Sequence, residues 1–141
     1  MSIDSLEKFK EYSEIVKYEP KKSNRWVVDF PEHFKIEKWM VKHMTPVIYD
    51  AENRKWEDIV VTLIDTAPKS TAKPLSDLIQ KGTYHNFNFK MTLLGPVGDN
   101  VEEYFFETCN INNIHFGETD YNINDFKLIK LSISFKKCII S

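Results

Sequence analysis

The sequence predicts a mainly β domain, a sandwich or partly closed barrel, with one α-helix inserted midway and a separate N-terminal helix. Three observations carry this expectation. From Arg25 onward apolar residues recur at every second position, the period of a strand. One interruption, Ser70 to Gly82, has helical spacing and helical end signals. In the last long run Ile129, Leu131, Ile133 and Phe135 point one way and Lys130, Ser132, Ser134 and Lys136 the other, as in a strand with one wet face.

Taken in order, Ile3 to Val16 sets Ile3, Leu6, Phe9 and Val16 near one face, and Asp4 and Glu7 are spaced as a capping pair, so a short amphipathic helix is expected. Tyr18 to Asn24 holds a proline and solvating residues, the composition of a linker. Residues 1–24 therefore read as a helix and arm, and 25–141 as the β domain. Arg25 to Phe30 has strand composition and stops at Pro31, which has no N–H for a ladder. Phe34, Ile36, Lys38 and Met40 alternate with Lys35, Glu37, Trp39 and Val41 in a second expected strand. Thr45 to Tyr49 is a third, closed by the turn-rich Asp50-Ala51-Glu52-Asn53. Trp56 to Ile64 is a fourth, apolar on both faces over Ile59–Ile64 and so expected to be covered on both sides.

In the helical segment Ser70 or Thr71 can cap, Pro74 is tolerated in the first turn, Leu75, Leu78 and Ile79 share a stripe, and Gly82 sits where a helix stops. Phe87, Phe89, Met91 and Leu93 then alternate with polar residues. The turn Gly95 to Asn100 and the run Val101 to Cys109 complete a hairpin.

Composition narrows function. A chain of 141 residues fits one domain. Nineteen basic against twenty-one acidic residues give a net charge of -2, and Arg25 and Arg54 are the only arginines, so a sequence-specific DNA binder is disfavoured. No apolar run is long enough to span a bilayer, and the N-terminus lacks the layout of a signal peptide; a soluble protein with no membrane partner is expected. Cys109 and Cys138 lack metal-ligand spacing and read as buried reduced thiols.

Catalytic patterns are not found. His33, His43, His85 and His115 fall in four separate segments without HxxxH or HxH spacing. Glu57-Asp58 and Glu102-Glu103 are adjacent pairs, which on a strand face opposite sides and cannot work jointly. GxSxG and phosphate-cradling glycine loops are absent. Phe87 and Phe89 share a face with Met91 and Leu93, so core packing outweighs a base-stacking platform. A binding or structural domain without cofactor or metal is expected, rather than an enzyme.

Three stretches, in order, resemble the tail-tube protein family of contractile-tailed bacteriophages, which shares its fold with type VI secretion tubes. They are Trp56 to Asp65 followed by Ala67-Pro68-Lys69-Ser70-Thr71 and the helix; Phe89 to Gly98 with Val101 to Phe106; and Cys109 to Tyr121, containing Ile114-His-Phe-Gly117 and Asp120-Tyr121, followed by Leu128 to Phe135. The resemblance covers roughly residues 25–141. It implies a structural subunit whose copies jointly form a ring-shaped β-barrel, as homo-hexamer rings that stack into a hollow tube. Sheath, baseplate and tape-measure proteins are the implied partners, and DNA is ejected through the lumen into the host cell without specific binding. The implied location is the virion tail, assembled in the host cytoplasm.

The same resemblance implies a ring-stacking loop at Tyr49, Asp50, Glu52, Asn53, Arg54 and Trp56. The lumen lining is expected on one of two wet faces, either Lys130, Ser132, Ser134 and Lys136 or Glu103 and Glu107 of the neighbouring strand. Alternatives are a tube-initiating baseplate protein or tail terminator of the same fold, and a small-ligand-binding β-barrel with a concave apolar pocket. An enzyme would require His43, His85 and acidic groups to meet in one cleft.

Overall fold

The computed structural model describes residues 21–122 and 126–141; the expected N-terminal helix lies outside the described residues. The strands are β1 (Trp26–Asp29), β2 (Val41–Met44), β3 (Tyr49–Asp50), β4 (Lys55–Trp56), β5 (Ile59–Ile64), β6 (Phe87–Leu94), β7 (Asn100–His115) and β8 (Leu128–Ile140), with one helix, α1 (Ala72–Lys81), between β5 and β6. Six strands form one antiparallel sheet in the order β1-β6-β7-β8-β5-β2, and β3 and β4 form a separate small hairpin.

The sheet is built on the β7–β8 hairpin. β6 pairs with the first part of β7, from Asn100 to Cys109, and β5 pairs with the first half of β8, from Leu128 to Ile133. The flanking strands thus grip opposite ends of the central hairpin, and the sheet rolls almost closed. Edge strands β1 and β2 come to one open side, where Trp26 and the segment Lys42–Val47 line the same cavity of about 620 Å3.

Both central strands kink at one level. Phe106 and Cys109 are both buried although three apart, and so are Phe135 and Cys138, instead of the spacing of two that a flat strand requires. Asn88 of β6 stands opposite the extra residue of β7: its Oδ1 accepts the Thr108 amide at 3.0 Å, and Thr108 has φ 54°. This β-bulge bends the sheet around its core.

The inner face is aromatic. Phe30 stacks on Phe89 with ring centroids 5.0 Å apart, Phe89 on Phe106 at 4.5 Å, and Phe106 meets Phe135 edge-on at 5.0 Å. Ile129, Leu131 and Ile133 are fully buried beside them, as the alternation in β8 requires. Cys109 and Cys138 are buried free thiols, and burial pushes them up to about 12 and about 11.

Helix α1 buries Leu75 and Leu78 in the core, and Thr71 ahead of it is also buried. Those positions are spaced i, i+4 and i+7 and centre the buried stripe, so Ile79 falls at its edge and is 42% exposed, against expectation. The cap is Ser70, whose Oγ accepts the Lys73 amide at 3.2 Å. Thr71 turns inward and donates its hydroxyl to the Ile64 carbonyl at 2.8 Å. Gly82 closes the helix at φ 68°, donating its N–H back to the Ile79 carbonyl.

The expected strand over Phe34–Val41 is not one. Two single-turn 3-10 helices, Glu32–Phe34 and Lys38–Met40, occupy it, separated by Lys35 at φ 55°. Phe34 and Met40 are each fully buried, whereas Ile36 between them is half-buried. The alternation there was accidental, and pairing starts only at Val41. The expected strand Thr45–Tyr49 is likewise mostly connector. Thr45 still bonds Val60, through its N–H at 3.0 Å and through Oγ1 at 2.8 Å, but Pro46 has no N–H to carry the ladder on. The run Trp56–Ile64 divides into β4 and β5, with Glu57-Asp58 outside both.

Candidate assembly surface

The β3–β4 hairpin carries every residue expected in the stacking loop. Its turn is organised by Asp50, whose carboxylate accepts the amides of Glu52 at 3.1 Å and Asn53 at 3.2 Å and the Asn53 side-chain amide at 2.7 Å. The Asn53 hydrogen bond, above all, holds the Asp50 carboxyl below its ordinary range. Tyr49 packs on Trp56 at 4.9 Å, and Trp56 packs on Phe135 of the core at 5.8 Å. Ala51 to Lys55 are all exposed. A short exposed tip thus stands on an aromatic base.

The two expected lumen-facing sets share one face of the sheet. Asn110 pairs with Ser134 between Cys109↔Phe135 and Ile111↔Ile133, whose side chains are buried on the inner side, and His115 pairs with Lys130 at the end of the ladder, next to half-buried Ile114 and buried Leu131. Glu103 lies on that outer face beside Lys90, 3.8 Å away, and Glu107 stands opposite Lys137. Ser134 donates its hydroxyl to Asn112 at 3.3 Å, and Asn112 donates to Asp58 at 3.3 Å. Glu102, the neighbour of Glu103, turns the other way and binds Lys21 at 2.7 Å. The face is largely polar with both signs of charge, but it also carries apolar side chains: Phe105 and Ile139, which pair across β7 and β8 and are each 39% exposed, and Leu128, in step with Lys130 and Ser132 and 38% exposed.

The loop joining β7 to β8 lies at the end of the sheet opposite the β3–β4 hairpin. With the outer face of β7, β8 and β5 it forms a cavity of about 870 Å3, to which Glu118, Thr119 and Asp120 contribute from the loop and Val60, Lys130 and Ser132 from the strands. Sequence reasoning singled out Lys130 and Ser132 as lumen candidates and marked Ile114 to Gly117 and Asp120-Tyr121 of this loop as part of the family resemblance, without giving the loop a place in the assembly surface. The exposed aromatics Phe116, Tyr121 and Phe126 were its available signal.

The four histidines do not meet; all are exposed, on different segments. Among the described residues no group of three or more His, Cys, Asp and Glu side chains is arranged to hold a metal ion, and no helix among them is long and apolar enough to cross a membrane.

No protein-family model matches the chain, and no curated protein matches it by sequence. Solved structures do. A chain of the sheath–tube complex of an extracellular contractile injection system, in the extended state, superposes with a TM-score of 0.68 at 14% identity over 92% of this chain and 96% of that one. The tube-terminating cap of the anti-feeding prophage gives 0.65 at 11% identity, over 87% of this chain and 91% of that one. Hcp1 of Flavobacterium johnsoniae gives 0.54 at 12% identity, over 83% and 94%. The rolled six-strand sheet with its single inserted helix is therefore the tail-tube fold, shared with contractile injection systems and Hcp proteins.

Proposed function

We propose that the protein is a structural, non-enzymatic subunit of a hollow tube in a contractile injection apparatus, assembled as homo-hexamer rings that stack. The observation that carries this is the division of the surface: an open-sided rolled sheet, a largely polar outer face, and an exposed hairpin on an aromatic base. Open edges are an aggregation hazard in a monomer, and a ring in which neighbours cover one another's edges removes it. The fold likeness to a sheath–tube complex and a tube-terminating cap supports the same conclusion.

The finer reading is a phage tail tube, located in the virion and assembled in the host cytoplasm, with tape-measure protein and then DNA passing through its lumen. In that reading the outer face lines the channel. The interleaving of Lys90 with Glu103 and of Lys137 with Glu107 suits such a wall, because phosphates sliding past meet no uncompensated cationic track. Tyr49 to Trp56 then serves as the contact between rings. Deleting Ala51 to Arg54 is expected to leave the monomer folded and to abolish polymerisation in sedimentation assays. Polymerisation unchanged by the deletion would remove the hairpin from the stacking contact.

A further inference from the structure

We infer that the cavity between the edge strands β1 and β2 is the seat of this chain's own N-terminal segment, residues 6–16, with Leu6, Phe9 and Val16 turned into it. The cavity, about 620 Å3 in volume, opens where the inner face of the sheet runs past its aromatic stack. Trp26, Met44, Trp56, Met91, Leu93 and Tyr104 line it, and each belongs to the core cluster or packs against it. Ile140, paired with Tyr104 across the central hairpin and 49% exposed, borders it as well. Apolar side chains on the inner face thus border open space here, and a covering segment would complete the core.

Two observations name the occupant. The first is where the chain enters. Lys21, the first described residue, is tied through its Nζ to Glu102 at 2.7 Å, two positions from Tyr104, and Ser23 and Asn24 line the cavity themselves. The residues before Lys21 therefore start at the rim. The stretch from Val16 to Lys21 spans at most about 18 Å, so docking is intramolecular, with an effective concentration that a separate partner would have to exceed. The second is the sequence of the segment. At helical spacing Leu6, Phe9 and Val16 share one side, and Glu7, Glu11 and Glu14, at i, i+4 and i+7, take the other. A segment so divided buries one face and keeps its carboxylates in water, and Lys42 is the charged side chain bordering the cavity. A helix laid over the opening also shields the free edges of β1 and β2, one of the ways a sheet avoids pairing with the wrong chain.

The test uses the full chain at concentrations below those at which it polymerises, and reads the indole N–H signals of the three tryptophans by NMR. Trp26 and Trp56 line the cavity; Trp39, whose indole donates to Glu37, does not. Phe9→Asp sets a carboxylate against apolar walls and should release the segment, shifting the Trp26 and Trp56 signals but not that of Trp39. Glu11→Gln, on the wet face, should shift none. In a second arm, a nitroxide on Glu11→Cys should broaden the Trp26 and Trp56 signals of its own chain, against a clean background since Cys109 and Cys138 are buried. No shift with Phe9→Asp and no broadening from the nitroxide would overturn the assignment. So would broadening that appears only in an isotope-labelled parent chain mixed with the nitroxide-bearing one, which would seat the segment on a neighbouring copy. Every readout is on the unpolymerised chain, so these outcomes and the presence or absence of rings are decided separately.

Discussion

Trp56 rests on Phe135 with ring centroids 5.8 Å apart, and this is the joint between the exposed hairpin and the aromatic core. Phe135 in turn meets Phe106 and, through it, Phe89 and Phe30. The hairpin's position is therefore set by the same stack that holds the sheet rolled.

Trp56→Ala should consequently do two things. Stability should fall by about 2 kcal/mol, less than the ~3–5 kcal/mol of a fully buried Trp because this one is half-buried. Assembly should fall further than that loss explains, since Tyr49 loses its stacking partner. Urea denaturation and sedimentation of the same variant separate the two effects.

Asp50 makes a sharper case for the turn itself. Asp50→Ala removes the acceptor for two backbone amides, whereas Asp50→Asn keeps an oxygen that can still accept. Amide protection at Glu52 and Asn53, read by NMR, should vanish in the first variant and persist in the second. The folded pKa is depressed, so the carboxylate's contribution is present above the unfolded value near 3.8 and is lost as pH falls through the still lower folded one. The turn should therefore hold at pH 5 and loosen only in strong acid.

Much of this architecture was legible in the sequence. β8, β6, α1 and the Asp50–Asn53 turn follow from strict alternation, from end signals and from turn chemistry, all of which are local. Phe34–Val41 was not, because two buried residues six apart fit both a strand and a pair of 3-10 turns, and only packing decides between them. Nor was the coupled kink at Glu107–Thr108 and Lys136–Lys137, a product of three strands bending together. Of the assembly surface, the hairpin could be read from its turn residues. The cavity under the β7–β8 loop could not, because its walls come from segments distant in sequence.

The two thiols give a pH signature. Burial raises Cys109 to about 12 and Cys138 to about 11 from an ordinary value of 9.0. The stability linked to these groups is full below the unfolded pKa and is lost as pH rises from about 9 through the folded values, because only the unfolded state releases the protons readily. The folded protein should thus resist a thiol-reactive dye at pH 8, react fully in denaturant, and show a steeper alkaline loss of stability than a variant lacking both thiols.

Thr71→Val tests how the helix is tied to the sheet. The hydroxyl donates to the Ile64 carbonyl at 2.8 Å in a buried setting, and the Thr71 amide donates to Asp65 at 2.8 Å. Removing the hydroxyl leaves that carbonyl without its side-chain donor, which should cost about 1–3 kcal/mol in chemical denaturation. No direct effect on assembly is expected.

The central claim is that copies of this chain build a hollow ring. Negative-stain electron microscopy of the purified protein across a wide concentration range tests it most directly. Six-fold rings with an open centre, stacking into tubes as concentration rises, are the predicted result; a monomer at every concentration would contradict it.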